Sequence, residues 1–189
     1  DLNRDYGFDI VIDTNDSDAV YVTGISDGWG KDTFVAKYTS SGNLDTSYGQ
    51  QTGFSHGSNI NGIYQIPDRQ IPVGVSGHYD GGYSLLLESG QILVTGIVGL
   101  DTTPDYEVFI QRVSADGTLD GTFNTGGEDY YDNVSFGTDT RDYPSYGAFT
   151  TDGTYLYVGG RGFSDGSSWN AFIIKTYYSN GNLVATFGS

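Results

Sequence analysis

The run Asp13-Thr14-Asn15-Asp16-Ser17-Asp18 carries a side-chain oxygen at every position. Oxygen ligands at alternating positions are what a hard cation such as Ca²⁺ takes from a loop, so Asp13, Asn15, Asp16, Ser17 and Asp18 are candidate metal ligands. The run lacks the turn glycine and distal bidentate glutamate of a Ca²⁺ loop, and the competing reading is a solvated hairpin turn. Asp1-Leu2-Asn3-Arg4-Asp5 repeats the alternation, with the Arg4 charge set against it. Glu128, Asp129 and Asp132 read as a charge cluster that guards a strand edge.

Three other residue types could support binding or modification. Trp29 and Trp169 lie in the corresponding stretches Asp27-Gly28-Trp29-Gly30 and Gly166-Ser167-Ser168-Trp169, expected as loops; their rings suit stacking on a sugar or packing against a neighbouring sheet, and packing is preferred. Asn15-Asp16-Ser17 and Asn133-Val134-Ser135 match the Asn-x-Ser acceptor, which makes Asn15 and Asn133 candidate glycosylation sites. His56 and His78 stand 22 residues apart with no ligand pattern around them, and read as surface loop residues. No Gly-x-Ser-x-Gly elbow, phosphate loop or His-based triad is present. The expectation is a protein that is not an enzyme; a hydrolase or lyase using paired carboxylates is the remaining catalytic reading.

Composition narrows the class further. Sixteen tyrosines, ten phenylalanines and 29 glycines among 189 residues suit short strands joined by tight turns. The 15% aromatic content supplies large buried areas even at a mean hydropathy of −0.34. A net charge of −16 disfavours nucleic acid and anionic lipid as partners and tolerates divalent cations. No apolar run approaches the roughly 18 residues of a membrane span, so no membrane insertion is expected. The chain has no cysteine for disulfides or thiolate chemistry. It also has no methionine, even at its first residue, which leads us to expect removed or omitted flanking sequence and an exported, extracellular or cell-surface protein.

The candidate residues are positioned by a threefold repeat. Its last strand and tail read Asp32 to Gly49, then Glu107 to Asn124, then Ala171 to Gly188. Ahead of each stands a strand ending in glycine: Tyr21-Val22-Thr23-Gly24, Leu93-Val94-Thr95-Gly96 and Tyr157-Val158-Gly159-Gly160. These glycines are 72 and 64 residues apart. A glycine there suits a bulge or a close backbone approach. A further strand precedes each, at Phe8–Asp13, Tyr83–Glu88 and Tyr146–Thr151. Turn residues separate all of them. Gln50 to Phe54 is expected to begin a fourth strand of the first unit, and Glu128 to Phe136 to form that of the second. The third unit has none within the chain. Boundaries follow at residues 1–54, 78–136 and 137–189, with 55–77 an inserted segment between the first two units.

Antiparallel hairpins at this period, without helices, predict an all-β chain of β-propeller-type blades: three four-stranded antiparallel repeats, the last lacking its outer strand. The Asp-Gly turn, the Val-Thr-Gly strand end, the Phe-x-x-Lys/Arg strand and the Gly-x-Leu-Asp-x-x-Phe/Tyr tail resemble the delta-60 repeat family of β-propellers, which is related to bacterial secreted propeller repeats. Val184 in place of the tail Asp, and Gln50-Gln51-Thr52-Gly53 in place of Thr-Gly-Gly, depart from that pattern. The resemblance implies a secreted or surface propeller and no defined activity. Three blades do not close a ring, so the expected partners are copies of the chain or further blades of the same polypeptide, joined head to tail into a ring or filament. The expected role is structural or adhesive. The alternative is a carbohydrate- or Ca²⁺-dependent module with cell-surface glycans as partners.

Overall fold

Each unit alternates its side chains across short strands and reverses at residues that tolerate tight turns, so it folds as a meander. A computed structural model describes residues 5–26, 32–49, 63–65, 81–99, 106–123, 128–131, 142–164 and 168–184. The first sheet runs β1 (Asp5–Asp13), β2 (Ala19–Ser26), β3 (Asp32–Tyr38) and β4 (Ile63–Gln65) in spatial order. The second runs β5 (Gly81–Glu88), β6 (Gln91–Gly99), β7 (Tyr106–Val113) and β8 (Glu128–Tyr131). The third has three strands, β9 (Asp142–Thr151), β10 (Tyr155–Ser164) and β11 (Ser168–Tyr177). All described pairings are antiparallel, and no helix is present among the described residues. The chain is all-β.

One strand assignment is corrected. The position next to β3 is filled by Ile63–Gln65, which pairs with Phe34 to Ala36 and lies inside the segment expected to be an insertion. The expected start at Gln50 to Phe54 lies outside the described residues. A three-residue edge strand needs only backbone pairing and leaves no alternating pattern to read. In the second sheet Glu128–Tyr131 pairs with Val108 to Gln111, within the stretch expected.

The repeated glycines have one physical cause. The register of the first strand against the second slips beside Gly7, Gly82 and Gly160. At each slip the first strand's backbone presses on the facing glycine. A Cβ on Gly24, Gly96 or Gly160 would overlap the carbonyl oxygen of Tyr6, Gly81 or Tyr143. In the first two units the preceding threonine adds a brace, Thr23 Oγ1 donating to Phe34 O at 2.8 Å and Thr95 Oγ1 to Phe109 O at 2.7 Å.

The sheets pack face to face around two cores. Tyr21, Val35 and Tyr48 of the first unit meet Leu85, Ile92, Val94 and Phe109 of the second. Leu93, Val108, Ile110 and Phe123 of the second meet Phe149, Leu156, Val158, Phe172 and Ile174 of the third. Alternate residues of β6 thus enter opposite cores, and the middle sheet is apolar on both faces. Burying each such side chain stabilises by about 1.5–3 kcal/mol. The sheets come closest at their first strands: β5 has Cα atoms within 8 Å of both β1 and β9, and β1 also reaches β9.

Candidate functional site

Each sheet has a forward face, towards the next sheet in chain order, and a backward face. Register places the same elements on every forward face. Tyr21 pairs with Lys37, Leu93 with Arg112 and Tyr157 with Lys175. The base then meets an acid supplied by the tail. Lys37 Nζ lies 3.4 Å from Asp45 Oδ2 and 2.7 Å from Asp16 Oδ2, and Arg112 Nε lies 2.9 Å from Asp120 Oδ2. Tail and strand are joined by backbone too, Asp45 N donating to Lys37 O and Asp120 N to Arg112 O. In the third unit Val184 N makes the same bond to Lys175 O at 2.9 Å, with a valine side chain where the other two tails have aspartate. Lys175 Nζ instead lies 3.8 Å from the Tyr155 ring centre and 5.4 Å from that of Tyr157.

The tail carboxylates are held ionised by local donors. Ser47, through its hydroxyl and then its backbone N–H, lowers the pKa of Asp45. Thr118 does the same for Asp116. For Asp120, burial pushes the pKa upward, and Thr122 with Arg112 more than reverses it. Burial likewise pulls Lys37 down, while the hydrogen bond to Asp16, the proximity of Tyr21 and the bond to Asp45 raise it overall.

Arg112 also ties its sheet to the next. Arg112 Nη1 donates to Tyr178 O at 2.9 Å, with the guanidinium 4.8 Å from the Phe123 ring centre. Tyr178 returns its hydroxyl to Glu88 O at 3.0 Å. Between the first two sheets Gly49 N donates to Asp116 O at 2.9 Å, a contact so close that a Cβ on Gly117 would overlap the Gly49 backbone. The residue after each slip reaches across as well: Asp9 Oδ2 accepts from Leu85 N and Ser84 Oγ from Gly147 N, both at 2.7 Å. In the third unit that place belongs to Ala148.

The two outermost faces differ sharply from their buried counterparts. On the forward side, Val35 and Ile110 are fully buried, while the equivalent Ile173 is 61% exposed. On the backward side, Leu85 and Phe149 are 5% and 7% exposed, while the equivalent Ile10 is 60% exposed, with Ile12 beside it. Isolated exposed apolar residues need no explanation, but here two sheet faces of the interior type are turned to solvent.

The candidates read from sequence fall as follows. Asp13 ends β1 and Thr14 to Asp18 form the β1–β2 turn, with Ser17 and Asp18 at positive φ. Asp13 is buried and its Oδ1 accepts from Asn15 N, while Asp16 is engaged by Lys37. Asn15 is exposed in this turn. Among the described residues no three His, Cys, Asp or Glu side chains converge on a metal position. Trp169, expected in a loop, is the second residue of β11. It is 45% exposed, with its ring centre 5.6 Å from that of Tyr143 and 4.7 Å from the Arg161 guanidinium. Trp29, His56, His78, Asp1 to Arg4, Asp132 and Asn133 lie outside the described residues.

A comparison with models of protein families finds no match to this chain, and a comparison with characterised proteins finds no relative. The resemblance to delta-60 repeats therefore rests on the quoted residues alone. The base–acid pairs of the forward faces were not singled out from sequence. A basic residue followed eight positions later by an aspartate, in two of three units, is the signal that carries them.

Proposed function

We propose that this chain is a non-enzymatic, extracellular structural or adhesive module of β-propeller type, its sheets being blades that fan from a shared line of first strands. The observation that carries this reading is the recurrence of one interface: the forward face of one sheet packs on the backward face of the next, at both junctions and through equivalent residues. Such packing is the physics of radial repetition, in which each unit buries its apolar faces only against its neighbours. The acidic, cysteine-free composition suits a soluble surface outside the cell. Fractionation of the source cells with an antibody to the chain tests the role. Recovery in the medium or the cell envelope supports it, and recovery in the cytosol would sink it.

A second reading is favoured by one cluster. Trp169, Tyr143 and Arg161 form an aromatic and cationic cluster at one end of the third sheet, joined by Tyr106 of the second sheet, whose ring centre lies 5.3 Å from that of Tyr143. A cluster of this kind stacks on the apolar face of a sugar ring, which makes a carbohydrate-binding module the alternative. Titration with glycans, followed by tryptophan fluorescence in the chain and in Trp169→Ala, decides it; a response that survives the substitution rejects this cluster.

A further inference from the structure

Inside the molecule a forward face bearing Val35 or Ile110 is always met by a backward face bearing Leu85 or Phe149. The two outward faces are one of each kind. The third sheet offers a forward face with Ile173 and the tyrosines beside Lys175, and the first sheet offers a backward face with Ile10 and Ile12. We propose that these two faces are a self-complementary pair: the third sheet of one copy stacks on the first sheet of a second copy, in the manner of the internal junctions. The inference rests on the reading of the sheets as repeated blades, and it specifies their partner.

Three observations favour a second copy bound head to tail over any pairing of like faces. The first is continuity, since the same contact is already made twice within one chain. The second is charge. Register places Lys175 and Arg161 on the forward side of the third sheet, opposite Tyr157 and Ala171. Third-on-third stacking would set these like charges of two copies against one another, while third-on-first stacking does not. The third is the turn glycine. Gly117 is pressed by the preceding unit, but a Cβ on its equivalent, Gly42, would meet nothing within 4 Å. The first unit's turn is open on the side where a preceding unit sits in the second.

Because the two faces differ, the contact is heterologous, and it generates a ring or a filament according to the angle between copies. This property gives a decisive test on the whole chain. Sedimentation velocity and light scattering over a concentration series are run on the unchanged chain, on Ile173→Glu, on Ile10→Glu, and on an equal mixture of the two variants. Far-UV circular dichroism checks that each remains folded, as expected for substitutions at exposed sites. The unchanged chain should form a series of assemblies. Each variant alone should associate about a hundredfold more weakly, since the contact would bury an unpaired charge. The mixture retains one intact forward face and one intact backward face, and should form a 1:1 dimer and nothing larger.

Dimers formed by either variant alone would overturn the pairing in favour of like-face contacts. A chain that stays monomeric throughout would overturn it as well, including one whose third sheet binds glycans instead. Amide hydrogen exchange separates these failures from failure of the underlying reading. Strong protection of β5, β6 and β7 in a monomer leaves the stacked blades standing and removes only the pairing. Exchange in β5 to β7 as fast as in β1 and β11 would remove both.

Discussion

Ile110 and Ile173 occupy the same place in two copies of one repeat, each two residues before a base and each on a forward face. Ile110 is fully buried against the third sheet, whereas Ile173 is 61% exposed. Their neighbours differ in the same sense. Arg112 is bound by Asp120, the Tyr178 carbonyl and Thr122, while Lys175 lies over Tyr155 and Tyr157 on the outward side. The comparison teaches that position in the repeat sets which residue is present, and that a neighbouring sheet sets what the residue contributes. The same side chain is core in one unit and exposed in the other.

Truncating the two isoleucines should break the equivalence most visibly. Ile110→Ala leaves a cavity between packed sheets and should cost about 3 kcal/mol, whereas Ile173→Ala in the monomer should stay within about 0.5 kcal/mol. Urea unfolding at low protein concentration measures both, and equal costs would contradict the exposure difference.

The next effect is at the base of the middle unit. Asp120→Ala strands the mostly buried Arg112 and removes the acceptor of Gln91 Nε2, so about 2–3 kcal/mol should be lost. The pH dependence has a fixed sign. Asp45, Asp116 and Asp120 have lowered pKa values in the folded chain. Their stabilisation is therefore full above the ordinary aspartate value near 3.9 and is lost as pH falls through the depressed folded values. Thermal unfolding of the unchanged chain should lose stability on that acid limb, and Asp120→Ala should show a shallower one.

A smaller difference is expected at the turn glycines. Gly42 and Gly117 both have positive φ, so alanine strains each by about 1 kcal/mol. Only at Gly117 does the new methyl also strike the Gly49 backbone, and Gly117→Ala should be the worse by roughly 1–2 kcal/mol. Equal melting temperatures for the two variants would remove the close contact between the first two units.

The smallest effect sharpens the comparison from the other side. Val184→Asp restores to the third unit the acid that follows Lys37 and Arg112 in the others. With the tail partly exposed and Lys175 already over two tyrosines, the gain should not exceed about 0.5 kcal/mol. A gain of Arg112-like size in urea unfolding would mean that burial against a neighbouring sheet is not what separates the two units.

Much of the fold was legible because its signals are local. Val-Thr-Gly and its copies mark a strand whose glycine faces a bulge, and the structure places a slip opposite each one. Ser-Gly-Asn and Ala-Asp-Gly mark turns with glycine at positive φ. Ile63–Gln65 was not legible, because an edge strand of three residues is chosen by the open hydrogen-bonding edge of β3 and not by its own pattern. Trp169 was misplaced for a related reason. Its glycine and serine neighbours read as a loop, yet β11 begins at Ser168 because β10 extends far enough to pair with it.

The sequence alone determined the all-β class, the threefold repeat, its turns and the placing of a base on each third strand, since these depend on side-chain alternation and on backbone geometry within a few residues. Which face of each sheet is core was decided only by tertiary structure. Ile10, Leu85 and Phe149 are interchangeable as apolar residues, and so are Val35, Ile110 and Ile173. Whether each meets another sheet or water depends on stacking between units more than 60 residues apart in the chain, and the hydrophobic effect acts on the surface removed from water, not on the residue's name.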